Sequence, residues 1–196
     1  MDKPEYFITQ SLLSSWLYLD KAGEHFDEAY RDFLCALERK PAPVTPKMQR
    51  GIEYEAEVLE CSLDYDEGFP ADVRAIARIV RGGIYQATAT RRVDAGGVTF
   101  VIYAKCDWLK AGDIYDVKRS DSYEVGKYRD SPQHSMYLAA IPEARRFVYL
   151  ISDGKDVYHE IYTREDTPPI EDALRAFMQY LLDTGLWETY AAHWRN

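Results

Sequence analysis

The sequence predicts a mixed α/β fold, a central sheet flanked by helices. Three observations predict it. Helical periodicity dominates residues 1–81, strand-like runs parted by short turn signals dominate 82–163, and helical periodicity returns over 168–196. The 196 residues are enough for one domain with a sizeable core. We therefore expect a single domain over 1–196: a mostly helical N-terminal part, a sheet core and C-terminal helices.

Each element has a local reason. Residues 9–21 and 24–40 read as helices, the second with Phe26, Tyr30, Phe33, Leu34 and Leu37 at helical spacing. Pro41-Ala42-Pro43 breaks the chain. Thr45 then suits an N-cap and Pro46 a first helical position, so a third helix should run to about Ser62. After Gly68-Phe69-Pro70, residues 71–80 form a short helix closed by Gly82-Gly83. Runs 85–93, 99–109 and 113–118 read as three antiparallel strands, joined by Asp94-Ala95-Gly96-Gly97 and by Ala111-Gly112. Ser131-Pro132 opens a helix to about Ala140. Run 146–151 is an apolar strand that pairs with 157–163 through Asp153-Gly154-Lys155. Pro168-Pro169 opens a helix that ends at Gly185, and a last amphipathic segment covers 187–194.

Composition narrows the class. With 46% hydrophobic residues the chain is not a disordered one. No apolar run approaches the roughly 20 residues of a membrane helix. The opening Met-Asp-Lys-Pro-Glu lacks the basic start and apolar stretch of a signal peptide, so a cytoplasmic protein with no membrane partner is expected. Cys35, Cys61 and Cys106 are odd in number and widely spaced, which argues against a disulfide scaffold, a zinc ribbon or a four-cysteine iron–sulfur cluster. The net charge of −9 is unevenly spread: residues 1–73 carry 7 basic and 16 acidic side chains, residues 74–146 carry 13 and 8, and residues 147–196 carry 4 and 9. The basic excess of the middle segment suits an anionic substrate.

That segment holds the candidate chemistry. If Lys110 pairs with Asp113 across the Ala111-Gly112 turn, Asp107 falls opposite Asp116. Like charges so placed destabilise a sheet unless a cation joins them. Lys118 shares a strand face with Asp116. Two carboxylates and an ammonium on one patch fit a metal-dependent hydrolytic site. The third helix offers a further carboxylate, Glu55, inside an apolar stripe of Met48, Ile52 and Leu59. A Glu on a buried face needs a partner. Gln133 and Tyr137 lie four apart on one face of the next helix.

In this order, Gly51-x-x-x-Glu55, Asp107, Asp116-x-Lys118 and Gln133-x-x-x-Tyr137 resemble the PD-(D/E)XK nuclease superfamily, nearest its RecB-type, lambda-exonuclease-like branch. Residues 8–13, Ile-Thr-Gln-Ser-Leu-Leu, resemble the start of that branch, and the likeness spans roughly 8–151. It implies a restriction-endonuclease-like core and a DNA-cleaving activity that leaves a 5′-phosphate and a 3′-hydroxyl. It further implies that Asp107, Asp116, Glu55 and the Val117 carbonyl hold metal and that Lys118 orients the attacking water. Gln133 and Tyr137 would contact DNA or support the site. Asp116 stands where Glu is commoner, and the cysteines that hold an iron–sulfur cluster in many relatives are missing, so no cluster is expected. All-oxygen ligands suit one or two Mg²⁺ or Mn²⁺ ions. Arg74 and Arg78 on one helix, Arg91 and Arg92 on a strand, and Lys127 and Arg129 before the Gln133 helix are the candidate phosphate contacts. The implied activity is a phage-recombination-type exonuclease. An endonuclease or CRISPR-adaptation nuclease of the same fold, or a catalytically silent DNA-binding recombination module, stands as the alternative. DNA, a single-strand annealing or other recombination protein, and further copies of the chain are the implied partners.

Overall fold

The computed structural model describes residues 3–196. Met1 and Asp2, the start of the segment read above for a signal peptide, lie outside the described residues. The elements run β1 (Glu5–Thr9), α1 (Gln10–Tyr18), two 3₁₀ turns (Leu19–Lys21, Gly23–His25), α2 (Phe26–Leu37), α3 (Pro46–Leu63), α4 (Ala71–Val80), β2 (Ile84–Ala95), β3 (Val98–Lys110), β4 (Asp113–Arg119), α5 (Pro132–Ala140), β5 (Arg146–Ser152), β6 (Val157–Thr163), α6 (Ile170–Asp183) and α7 (Trp187–Trp194). Thr45 caps α3 by accepting from the Met48 amide at 3.2 Å, with Pro46 in the first turn as expected.

One strand is additional to the sequence reading. Glu5–Thr9 lies parallel to β3, with Tyr6 and Ile8 buried. Thr9 is the N-cap of α1 rather than its first residue. The period-two signal is real but only five residues long.

The six-stranded sheet is mixed. Strands β2–β3, β3–β4 and β5–β6 pair antiparallel, and β1–β3 and β4–β5 pair parallel. β2 covers one edge of β3 along nearly its whole length. The other edge is shared: β1 pairs with Thr99–Tyr103 and β4 with Trp108–Lys110. A fork therefore opens between β3 and β4 once their short ladder ends.

Both faces of the sheet are covered. On one face Phe100, Ile102, Ala104 and Cys106 of β3 join the main core with α1, α2, α5, α6 and α7. On the other, Tyr54, Val58 and Cys61 of α3 and Val73, Ile76 and Val80 of α4 pack with Trp108, Val117, Val148 and Leu150. Cys106 and Trp108 are two apart, so regular alternation would place them on the same face. They pack in opposite cores. The same reversal divides Ala87 from Tyr85 on β2. Alternation slips by one residue at Asp107 and, on its neighbour strand, at Gln86.

The backbone records the slip. The β2–β3 ladder is continuous except at Gln86 and Asp107, and Gln86 has φ +50°. A non-glycine residue in the left-handed region costs on the order of 1–3 kcal/mol and survives only where its surroundings fix it. The hairpin of β3 and β4 is regular by contrast. Ala111 and Gly112, at φ +50° and +81°, form a tight turn of two left-handed residues, and Lys110 pairs with Asp113 as the sequence predicts.

Candidate functional site

The expected pairing of Asp107 with Asp116 does not form. The β3–β4 ladder runs from Lys110↔Asp113 to Trp108↔Tyr115 and stops one pair short. β4 continues beside β5, with Asp116↔Tyr149 and Lys118↔Ile151 in register. Backbone groups at the opened fork must find other partners. The Val117 amide donates to Asp107 Oδ2 at 2.7 Å, and the Lys105 carbonyl accepts from the Tyr137 hydroxyl at 2.9 Å. The separation of the strands thus aims Asp107 toward β4 rather than across a ladder.

Asp116 is 2% exposed. Gln133 Nε2 donates to its Oδ1 at 2.5 Å, and the Lys118 ammonium lies 2.7 Å from its Oδ2. The latter is a charge contact: Oδ2 is buried and receives no aligned hydrogen bond. Gln133 and Tyr137 are themselves buried, so α5 supports the site from the main-core side instead of presenting these side chains to solvent.

Glu55 approaches from α3 on the other face, but not through the predicted stripe. Met48 and Ile52 are 52% and 53% exposed, and the helix buries Tyr54, Val58 and Cys61 instead. Glu55 sits at the margin of that stripe, where Tyr85 donates its hydroxyl to Oε1 at 2.9 Å and receives the Gln86 amide at 3.0 Å. Tyr85 had no signal in the sequence, because its partner Glu55 lies thirty residues away in the chain.

The electrostatics tie these groups together. Burial, then the charges of Asp116 and Glu55, push the Asp107 carboxyl well above the usual carboxylate range, against Lys118 and the Val117 amide. Burial works against the Lys118 ammonium, yet Asp116 and Asp107 outweigh it and raise its pKa above lysine's ordinary value. Burial and the bond to Glu55 lift Tyr85 to about 12. Asp116 and Asp107 share one close ammonium, and Glu55 adds its charge to that of Asp107.

A cleft of about 490 Å³ opens here. Lys47, Met48, Gly51, Ile52 and Glu55 of α3 line it with Asp107, Val117 and Lys118 and, at the rim, Arg119, Ser120, Lys127 and Tyr128. Of the predicted phosphate contacts only Lys127 lies in it. Arg92 pairs with Glu5 and Arg91 donates to the Ala139 carbonyl, both beyond Gln86 toward the far end of β2. Arg78 bonds the hydroxyl of Tyr65, and Arg74 belongs to the same helix, α4. Arg129 lines neighbouring clefts. Lys47 and Arg119, not singled out from sequence, take the positions that the five arginines do not.

Among the described residues no three His, Cys, Asp or Glu side chains gather closely enough to hold a metal ion as they stand. The donor chemistry nevertheless fits a hard cation. It is all oxygen, it carries a surplus of negative charge, and the buried Asp116 Oδ2 lacks an aligned donor. No helix among the described residues is long and apolar enough to cross a membrane.

No protein-family model matches the chain, and no curated protein matches it. Among solved structures, the crystal structure of SSO0001 is similar over 93% of this chain and 79% of that one, at 14% sequence identity and a TM-score of 0.53. Identity at that level is a likeness of fold alone. The chain shares with that structure a mixed α/β architecture.

Proposed function

We propose that the cleft hydrolyses DNA phosphodiester bonds with a divalent metal ion, on a restriction-endonuclease-like core, and that it attacks from DNA ends. The observation that carries this reading is that Asp107 feels the charges of both Asp116 and Glu55 at the β3–β4 fork, with the Lys118 ammonium beside the two aspartates. The order of α3, β2–β4, α5 and β5 around the fork supports the core assignment. The motif spacing that resembles the lambda-exonuclease-like branch supports attack from ends.

Asp107, Asp116 and Glu55, with the Val117 carbonyl, would hold Mg²⁺ or Mn²⁺. When bound, the ion lowers the pKa of a water and neutralises charge developing on the phosphate. The protein's own groups do the rest. The Val117 amide holds Asp107, Gln133 holds Asp116, and Tyr85 holds Glu55, so each carboxylate is restrained by a neighbour. Lys118 stays protonated and orients water and phosphate oxygens. Lys47, Arg119 and Lys127 supply positive charge along the cleft.

The test is digestion of end-labelled linear and supercoiled circular DNA by the wild type and by Lys118→Ala, with and without Mg²⁺. Metal-dependent loss of linear DNA that disappears in the variant is expected. A wild type with no metal-dependent cleavage, or a fully active variant, would overturn the nuclease reading. Cleavage of closed circles would overturn attack from ends.

A further inference from the structure

Residues 120–131 join β4 to α5 without a helix or strand of their own, and they bring Lys127 and Tyr128 to the rim of the cleft. A loop of this kind wanders unless it is tied down. The tie comes from the far edge of the sheet. Glu160 on β6 is 6% exposed. Its Oε1 accepts from the Tyr123 hydroxyl at 2.9 Å and the Gly126 amide at 3.0 Å. Its Oε2 accepts from the Tyr128 amide at 3.2 Å and the Tyr162 hydroxyl at 2.7 Å. Three of the four donors belong to the loop. The fourth, Tyr162, stacks on His134 of α5 with ring centres 4.1 Å apart, so the same carboxylate couples the loop to the helix that carries Gln133.

Two further contacts depend on the loop's path. The Tyr128 ring stacks on Tyr149 at 4.6 Å. Lys127 Nζ reaches back to Ser120 Oγ at 2.6 Å and the Ser122 carbonyl at 2.8 Å, beside the end of β4.

We propose that Glu160 is a positioning residue that fastens the 120–131 loop so that Lys127 and Tyr128 meet a nucleic-acid strand entering the cleft. The proposal rests on the nuclease reading for its ligand, and Lys127 and Tyr128 supply complementary chemistry: an ammonium for phosphate and a ring for a base. A carboxylate is required at 160 because four donors converge on two oxygens. A glutamine offers one oxygen and sets an amide nitrogen against the remaining donors.

Two readouts test it in Glu160→Gln: native-state trypsin cleavage after Lys127 and Arg129, and binding of a short fluorescent DNA in Ca²⁺ beside the KM and kcat of cleavage in Mg²⁺. Cleavage after Lys127 and Arg129 should accelerate about tenfold or more while other tryptic sites hold. The Kd and KM should rise about tenfold with kcat within about twofold, as expected when positioning is lost but the reacting groups remain. If Glu160→Gln does not fold, Tyr123→Phe removes one tie from the loop side and should shift both readouts the same way by less. Unchanged trypsin resistance overturns the proposal. So does a loosened loop with unchanged Kd, or a fall in kcat at constant KM. A wild type that neither binds nor cuts DNA sinks the nuclease reading and the ligand named here, while trypsin still decides whether Glu160 fastens the loop.

Discussion

Asp113 and Asp116 stand three residues apart on β4 and are 3% and 2% exposed, yet they are built for different ends. Asp113 is fully answered. Arg146 bonds both of its oxygens and Arg145 lies 3.5 Å away. Asp116 has Gln133 on one oxygen, an unaligned Lys118 on the other, and the Asp107 carboxyl as a neighbour. The first is a structural ion pair that ties β4 to β5. The second keeps a surplus of negative charge that the protein does not neutralise. Burial alone does not separate them; the balance of partners does.

The sharpest way to break this contrast is to remove the ammonium. Lys118→Ala should lower metal-dependent cleavage by on the order of 10²–10³ or more with the fold retained, read by single-turnover digestion and circular dichroism. Asp116→Asn should lose cleavage to a similar degree while its melting temperature holds or rises, because one of three crowded charges is gone. Asp113→Asn should do the reverse. It should cost about 1–3 kcal/mol in urea unfolding, discounted because Arg146 is half exposed, with cleavage per folded molecule kept. A stability loss in Asp116→Asn larger than in Asp113→Asn would erase the distinction.

The pH dependence should follow Asp107. Its folded pKa is raised, so the folded state holds a proton that the unfolded chain releases. The stabilisation is present below the ordinary carboxylate pKa and is lost as pH climbs through the raised value. In EDTA, stability should therefore decline with pH from the ordinary carboxylate range upward, and Asp107→Asn should flatten that slope in thermal melts. A slope unchanged by the substitution would put the charge surplus elsewhere. The smallest expected effect belongs to Tyr85→Phe, which frees Glu55 from its hydroxyl and should cost about 1 kcal/mol or less in stability. A several-fold loss of cleavage should accompany it.

The hairpin was readable from Ala111-Gly112, and the start of α3 from Thr45-Pro46, because each depends on residues adjacent in the chain. Glu55 was singled out by the wrong stripe. Met48, Ile52 and Leu59 have helical spacing, and so do Tyr54, Val58 and Cys61. Periodicity cannot tell an apolar side chain that lines a cleft from one that fills a core. The position of Arg91 and Arg92 outside the cleft was hidden for a different reason. Counting charge by segment cannot see that they lie on the far side of Gln86 from the site. Tyr85 acts through Glu55, thirty residues away, and Glu160 through loop donors 32 to 37 residues away, so nothing local announces these ties.

The slip at Gln86 and Asp107 bears on anyone who would move this site into another scaffold. A strand with unbroken alternation offers Asp107 only two directions, into one core or the other. Grafting the acids and the lysine onto such a sheet would deliver the letters of the motif without the crease that aims them. The portable unit is the pair of creased strands together with the turn that follows, and a graft that keeps Gln86 left-handed should outperform one that copies every acidic residue and straightens the sheet.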